Sequence, residues 1–333
     1  MIGRKSLTKS TLALSVLLLV LLASPAEAKV TRYLTGNAAD VNPLLAGPAH
    51  DFGGGGTDVD AALQWIIDQV RGCTSCSTKV DVVILRSSGS NGYNDYIYAM
   101  NGVDSVETLV ITAARDSNTS AVETTVRNAE VVFFAGGDQC DYVRNFKGTR
   151  VETAVESVYA RGGGVGGTSA GLAIQGEFTY DGCTGSVTSS QALLNPYHRD
   201  ISFTYDFFNW ANMQDVVTDS HLVVRDRMGR TMAFIARQIR DGKASSALGM
   251  AVNEATSVVV DKNGLARVFG AGPAYFVLGD HFPEVCEAGT PLTYSNYKIW
   301  KVATNGTFDL QNRPTSGYYL ISVNNGQLSG DPY

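Results

Sequence analysis

Gly162-Gly163-Gly164-Val165-Gly166-Gly167-Thr168-Ser169-Ala170-Gly171 decides how the rest of this chain is read. Upstream, Arg150 to Arg161 carries Val151, Ala154, Val155, Val158 and Tyr159 at helical spacing, so a helix ends at the glycines and a short buried strand follows. Leu172, Ala173 and Ile174 then begin a new helix. Ser169 is thereby placed at a sharp strand-to-helix turn, where flanking glycines permit a strained backbone and close packing, and one hydroxyl is lifted clear of the sheet. Such a nucleophile elbow also offers backbone N–H groups at the start of a helix whose dipole favours a developing oxyanion. Taken alone, the stretch equally suits a glycine-rich phosphate loop, and the surrounding chain has to decide.

Upstream of the elbow, strands and helices alternate. Lys29 to His50 has weak periodicity and reads as an irregular lead-in. Gly53-Gly54-Gly55-Gly56-Thr57-Asp58 then meets a helix with Val59, Ala62, Leu63, Ile66, Ile67 and Val70 on one face and Thr57 or Asp58 as N-cap. No basic residue stands at that glycine turn to hold a phosphate, so it is read as structural. Lys79 to Leu85 is a buried strand, Tyr93 to Met100 a helix, Val106 to Ala113 a strand, Thr119 to Ala129 helical, and Glu130 to Ala135 a solid apolar strand. This alternation predicts an α/β fold, a parallel sheet covered on both faces. Gly136-Gly137-Asp138-Gln139 follows at a strand's carboxyl end, where α/β sheets bind ligands and bare glycine amides can form half of an oxyanion hole.

Downstream, Tyr180 to Asp200 is polar and loop-like, and the aromatic run Phe203 to Trp210 reads as a lid or satellite cluster. Within Val216 to Arg230 a strand delivers His221, and Arg225, Arg227 and Arg230 crowd the start of the next helix. Cations there oppose the helix dipole, so their placement suggests other work, such as gripping a carboxylate. Leu248 to Ala255 reads as a strand leading to an acid, Glu254, and Thr256–Val260 with Leu265–Phe269 forms a hairpin around Asp261-Lys262-Asn263-Gly264. Beyond Gly279 the chain is turn-rich and β-like and reads as a small C-terminal β appendage.

Composition sets the boundaries of these readings. The chain has 333 residues, 44% hydrophobic and 17% charged, enough for a substantial globular core. Arg4, Lys5 and Lys9, the apolar run Leu12 to Ala23 and Ala26-Glu27-Ala28 read as a signal peptide over residues 1–28, too short an apolar run to be a comfortable membrane span. Its removal takes away Arg4, Lys5, Lys9 and Glu27 and moves the formal charge from −6 to −8. An acidic mature protein argues against nucleic acid as a partner. The five cysteines are Cys73, Cys76, Cys140, Cys183 and Cys286, so one has no partner within the chain. Cys73-Thr74-Ser75-Cys76 follows a helix rather than a strand, which suits a local disulfide better than redox catalysis or zinc.

A serine hydroxyl needs a base to take its proton, and the base needs an orienting acid. Of His50, His198, His221 and His281, only His221 comes directly off an expected core strand. Glu254, also just off a core strand, is the natural orienter, with Asp219 the competing choice.

Four ordered blocks resemble one family: Gly136-Gly137-Asp138-Gln139, Gly166-Gly167-Thr168-Ser169-Ala170-Gly171, Asp219-x-His221 with Arg225, Arg227 and Arg230, and Asn253-Glu254-Ala255. They look like cyanophycinase and its relatives among the aspartyl dipeptidase serine peptidases (peptidase family S51), over about Gly53 to Val260. The resemblance implies a three-layer, mostly parallel α/β sheet of flavodoxin-like or class I glutamine-amidotransferase-like type. It also implies a catalytic triad of Ser169, His221 and Glu254, an oxyanion hole from the Gly137 and Ala170 amides, and substrate contacts from Gln139, Asp219, Arg225, Arg227 and Arg230. Neither a metal nor a cofactor is implied. The expected substrate is a β-Asp-Arg or isoaspartyl peptide, or a cyanophycin-like polymer, with α-aspartyl dipeptides or non-catalytic binding of an acidic ligand as alternatives.

Two departures stand out: Ser220 precedes His221 where the family places glutamine, removing a substrate-side amide, and Cys140 follows Gln139 where an apolar residue is familiar. The expected organisation is a signal peptide (1–28), an α/β peptidase domain (29–280) and a C-terminal β extension (281–333), secreted or periplasmic, free of the membrane once cleaved, with a homodimer possible. An amidotransferase-like subunit would need cysteine at the elbow, and Ser169 stands there instead.

Overall fold

A computed structural model describes residues 1–3 and 30–333, so the expected signal peptide falls almost wholly outside the described residues. In chain order the first half contains β1 (Thr31–Gly36), β2 (Ala49–Gly53), α1 (Asp60–Arg71), β3 (Val80–Arg86), α2 (Asn94–Tyr98) and β4 (Val103–Val110). Then come α3 (Ala114–Ser117), α4 (Ser120–Asn128), β5 (Val131–Phe134), α5 (Gln139–Phe146), α6 (Arg150–Ala160), β6 (Gly164–Thr168) and α7 (Ala170–Ala173). The second half adds β7 (Thr179–Tyr180), α8 (Ser189–Leu194), β8 (Phe203–Thr204), β9 (Val216–Asp219), α9 (Met228–Arg240) and β10 (Ala247–Val252). It closes with β11 (Thr256–Val260), β12 (Leu265–Gly270), β13 (Ala274–Gly279), β14 (Tyr294–Val302), β15 (Thr307–Asp309), β16 (Tyr319–Asn324) and β17 (Gln327–Leu328).

The expected α/β architecture is present. A nine-stranded sheet runs β1-β4-β3-β5-β6-β2-β11-β12-β15, and its central strands β4, β3, β5, β6 and β2 are parallel. Alternation along these strands explains the layering, because successive side chains point to opposite faces. Val82, Ile84, Val131 and Phe133 pack with Leu63, Ile66, Ile67 and Val70 of α1. Val83, Leu85, Val132 and Phe134 pack on the other side with Val122 and Val126 of α4 and Val151, Ala154, Val155 and Val158 of α6. Both faces are therefore apolar, and the strands read as unbroken hydrophobic runs.

A second sheet, β17-β16-β14-β13-β10-β9, stacks on the far end of the first. Phe276 of β13 lies flat on Phe308 of β15 with ring centroids 4.0 Å apart, one of the contacts that join the two sheets. Its opposite face is covered by α9, whose Met232, Ala233, Ile235, Ala236 and Ile239 meet Val217, Ala251 and Val277. The C-terminal strands are present as expected. Three of them extend the second sheet, and β15 edges the first.

Three local expectations are corrected. The lead-in is not irregular: β1 pairs antiparallel with β4, and β2 lies between β6 and β11 inside the large sheet. The short β2 carries buried His50 and Asp51, and this polarity hides it from any hydrophobic pattern. The aromatic run is neither a lid nor a satellite cluster: Phe207, Phe208 and Trp210 are buried in the main core, with Phe208 5.6 Å from Phe134. Finally, α1 is capped by neither Thr57 nor Asp58, since Val59 is its N-cap without a side-chain bond, and Asp58 accepts from the Tyr93 hydroxyl at 2.8 Å instead.

Candidate active site

The elbow forms as the glycines require. Ser169 has φ 55° and ψ −109°, between β6 and the single turn α7. A Cβ at Gly171 would lie 2.2 Å from the Phe134 carbonyl oxygen, and one at Gly167 would lie 2.6 Å from the Gly171 oxygen, so only glycine allows this turn to press onto its sheet. α7 spans four residues, which corrects the expectation of a helix dipole behind Ser169. What remains is local: the Ala170 N–H opens the turn, and neither it nor the Gly137 N–H makes a backbone hydrogen bond among the described residues. Both residues line one cleft with Ser169.

The expected base and orienting acid lie just beyond separate strands, β9 and β10. The Ser169 Oγ and His221 Nε2 are 2.7 Å apart, and His221 Nδ1 and Glu254 Oε1 are 2.5 Å apart. His50 is buried within the core, and His198 and His281 hydrogen-bond at other sites, so His221 is the imidazole brought to the serine. Asp219, the competing orienter, is taken up elsewhere: its carboxylate accepts from Arg230 Nε at 2.8 Å and Nη2 at 2.5 Å.

Sequence reasoning missed what holds these parts together. Three successive glycine carbonyls each accept one backbone N–H from a corner of the site. Gly53 takes Ser169 at 2.9 Å, Gly54 takes His221 at 2.8 Å, and Gly55 takes Ala255, next to Glu254, at 2.9 Å. Side chains are excluded there, since a Cβ on Gly54 would sit 1.9 Å from the Asn253 oxygen and one on Gly55 would sit 2.3 Å from His221 Cε1. Ser169, His221 and Ala255 all have positive φ, at 55°, 51° and 51°, which is backbone strain concentrated at the splinted corners. The run of four glycines was the available signal, but local sequence could not say what it touches.

No family model matches this sequence, and no curated protein matches it. Among solved structures, a peptidase from an acI-B1 Actinobacterium shares 13% identity, with a TM-score of 0.53 over 80% of this chain and 98% of that one. A candidate Peptidase E protein from Listeria monocytogenes EGD-e shares 13% identity, with a TM-score of 0.44 over 68% of this chain and all of its own. The chain shares its fold with the first.

The cleft beside Ser169 has a volume of about 390 Å³. Gln139, Asp219, Arg225, Arg227 and Arg230 all line it, but in different states. Arg230 is 3% exposed, and the carboxylate it grips is the protein's own Asp219. Burial by itself would raise the Asp219 carboxyl, yet Arg230, Arg227 and the Thr231 hydroxyl together hold that carboxyl below its ordinary value. Arg227 donates to the Ser220 carbonyl oxygen at 2.9 Å, and Ser220 itself faces the cleft. Arg225 is exposed and has no side-chain partner among the described residues. The His221 pKa is lowered, first by burial and then by Arg225 and Arg227, against an opposing pull from its hydrogen bond to Glu254. A neutral imidazole is the form that can take a proton from serine. Among the described residues no cluster of His, Cys, Asp and Glu could hold a metal ion, and no helix is long and apolar enough to cross a membrane.

Proposed function

We propose that this protein is a serine-type hydrolase of aspartyl peptides, with Ser169 as nucleophile, His221 as general base and acid, and Glu254 as orienter. The observation that carries this reading is the unbroken contact from the Ser169 hydroxyl through both nitrogens of His221 to the Glu254 carboxylate. His221 takes the hydroxyl proton as Ser169 attacks an amide carbonyl, and the resulting oxyanion is met by the Gly137 and Ala170 N–H groups, each contributing about 3 kcal/mol. His221 then protonates the leaving amine, and water attacks the acyl-enzyme by the same route in reverse. The peptidase fold of the actinobacterial neighbour supports a peptidase rather than another hydrolase.

The substrate class follows from charge. Arg230 and, at 3.7 Å, Arg227 both pair with Asp219, and Asp138 is the other carboxylate of the lining, so the three arginines leave the cleft one positive charge in excess, with Arg225 unpaired among the described residues. That suits a carboxylate on the acyl side of the scissile bond, as an aspartyl or isoaspartyl residue supplies. Ser220, at the place of the familiar glutamine, provides a short hydroxyl that Arg227 already uses, which favours a wider range of aspartyl peptides than β-Asp-Arg alone. Action after export, in periplasm or medium, is part of the proposal and rests on the leader sequence.

Purified protein offered β-Asp-Arg polymer, isoaspartyl dipeptides and α-aspartyl dipeptides in parallel tests this reading. Hydrolysis of one class, with fluorophosphonate labelling at Ser169, is expected. Binding of an acidic peptide with neither hydrolysis nor labelling would leave a non-catalytic binding protein.

A further inference from the structure

Cys140 and Cys183 are joined in a disulfide that spans 43 positions. Its two ends belong to adjoining walls of the cleft, with Cα atoms 4.9 Å apart. Cys140 follows Gln139 in the first turn of α5, and Cys183 lies in the segment 181–186, whose Gly182, Gly185 and Ser186 also line the cleft. The walls touch, because a Cβ at Gly182 would come within 2.9 Å of Gln139 Nε2.

The base of that segment is anchored without the disulfide. The Tyr180 hydroxyl donates to the Gly185 and Asp200 carbonyls at 3.0 Å each, and Asp181 accepts from Thr204 Oγ1 at 2.9 Å. The bonds of its tip all stay on its own side: Cys183 N–H donates to Asp181 Oδ1 at 2.9 Å, Thr184 Oγ1 to Ser202 Oγ at 3.2 Å and Gly185 N–H to the Gly182 carbonyl at 3.2 Å. Among the described residues no hydrogen bond runs from 182–186 to 137–140, so the disulfide is the direct bond between the walls. The triad, by contrast, hangs from the Gly53, Gly54 and Gly55 carbonyls, which the disulfide does not touch.

We propose that the Cys140–Cys183 disulfide is a positioning element for substrate. It fixes the separation between Gln139 and the Gly182–Ser186 wall and thereby sets affinity for the peptide, while the chemistry at Ser169 proceeds without it. The proposal rests on the hydrolase reading above. Reduction by a dithiol breaks the S–S bond, delivers two electrons and two protons to the cysteine sulfurs and closes the reductant into a cyclic disulfide. The 182–186 wall then loses its direct bond to the 137–140 wall, and their separation must be set again each time a peptide binds, a cost that falls on binding.

The test uses the full chain, oxidised and after dithiothreitol with released thiols counted, together with a Cys140→Ser/Cys183→Ser variant. A Cys73→Ser/Cys76→Ser variant controls for the other disulfide, which lies after α1. Two quantities are read: KM and kcat on a hydrolysed aspartyl peptide, and the rate at which a small fluorophosphonate labels Ser169. Reduction and the Cys140→Ser/Cys183→Ser variant should raise KM about 10-fold, with kcat and labelling within about twofold of the oxidised protein. The control should keep the original KM. An unchanged KM after verified reduction overturns the proposal, as does a parallel loss of labelling and turnover, which would mean general disruption. Should the double variant not fold, the reduced wild-type chain decides alone. Failure of the hydrolase reading looks different: the oxidised protein itself would neither be labelled nor hydrolyse any aspartyl peptide, and this proposal would fall with it.

Discussion

Asp219 and Arg230 form a two-point ion pair in the floor of the cleft, 2% and 3% exposed, with the Arg230 Nε and Nη2 each donating to a different carboxylate oxygen. Thr231 Oγ1 also donates to this carboxylate, and the Arg230 guanidinium lies 5.2 Å from the Tyr180 ring centroid. Removing one partner leaves the other charge buried and unpaired. Asp219→Ala should therefore cost about 3–5 kcal/mol in urea unfolding. Exposed Arg225 gives the contrast: Arg225→Gln should change stability by less than about 0.5 kcal/mol and act on KM for aspartyl peptides instead. Equal destabilisation by both would contradict this division of labour.

Ser169→Ala removes the hydroxyl and nothing that holds the elbow, because the Ser169 N–H still meets the Gly53 carbonyl. Turnover should fall by about 10⁴-fold or more, with thermal unfolding close to that of the parent. Retained activity in a preparation free of wild-type protein would remove Ser169 from the mechanism.

Gly55→Ala tests the glycine splint. Its new methyl group would overlap the His221 ring, at 2.3 Å from Cε1, in a backbone of φ +95° that disfavours a side chain. The imidazole must move, and a misplacement on the order of 1 Å is enough to lower kcat about 100-fold. Peptide binding should persist, so KM and kcat separate. A variant with wild-type kcat would show that the run merely turns the chain.

The pH dependence of catalysis has a defined sign. With His221 as the proposed base, its protonated form cannot accept the serine proton, so kcat/KM should be lost as pH falls through its pKa, which lies below the ordinary 6.5. Since Arg225 contributes to that lowering, Arg225→Gln should move the acid limb to higher pH. A pH–rate profile with its acid limb above neutrality in the parent would contradict the assignment.

Stability should carry a second pH dependence, from Asp51. This carboxyl is fully buried beside Ser257, and burial, with help from Asp58, raises it from 3.8 to about 7 against the Ser257 hydrogen bond. A group raised in the folded state stabilises fully below its unfolded pKa and loses that contribution as pH climbs through the folded value, here between 3.8 and about 7. Asp51→Asn keeps a neutral acceptor for Ser257 and has nothing to ionise. Its stability relative to the parent should rise by up to about 4 kcal/mol between pH 4 and pH 8. Urea midpoints at the two pH values read this directly, and Glu130, also raised to about 7, cancels because both proteins contain it.

Local sequence was enough for everything that periodicity records. The apolar runs at β3, β4 and β5 and the helical spacing of α1, α4 and α6 report burial on one face or two, and burial is a property of single residues along a strand or helix. The glycines around Ser169 announced the elbow because only that residue type tolerates the approach of strand and turn. His221 and Glu254 were legible as polar residues just beyond core strands. What periodicity does not record is which segments become neighbours. Polar β2 gave no pattern, yet its strand neighbours β6 and β11 place Gly53 to Gly55 among the three corners of the site. The pairing of Cys140 with Cys183, the burial of Phe207, Phe208 and Trp210, and the engagement of Arg230 by Asp219 likewise depend on long-range packing. Charge and chemistry are written in the chain, but whether an arginine is spent on its own protein or left facing the cleft is settled only when the sheets close around it.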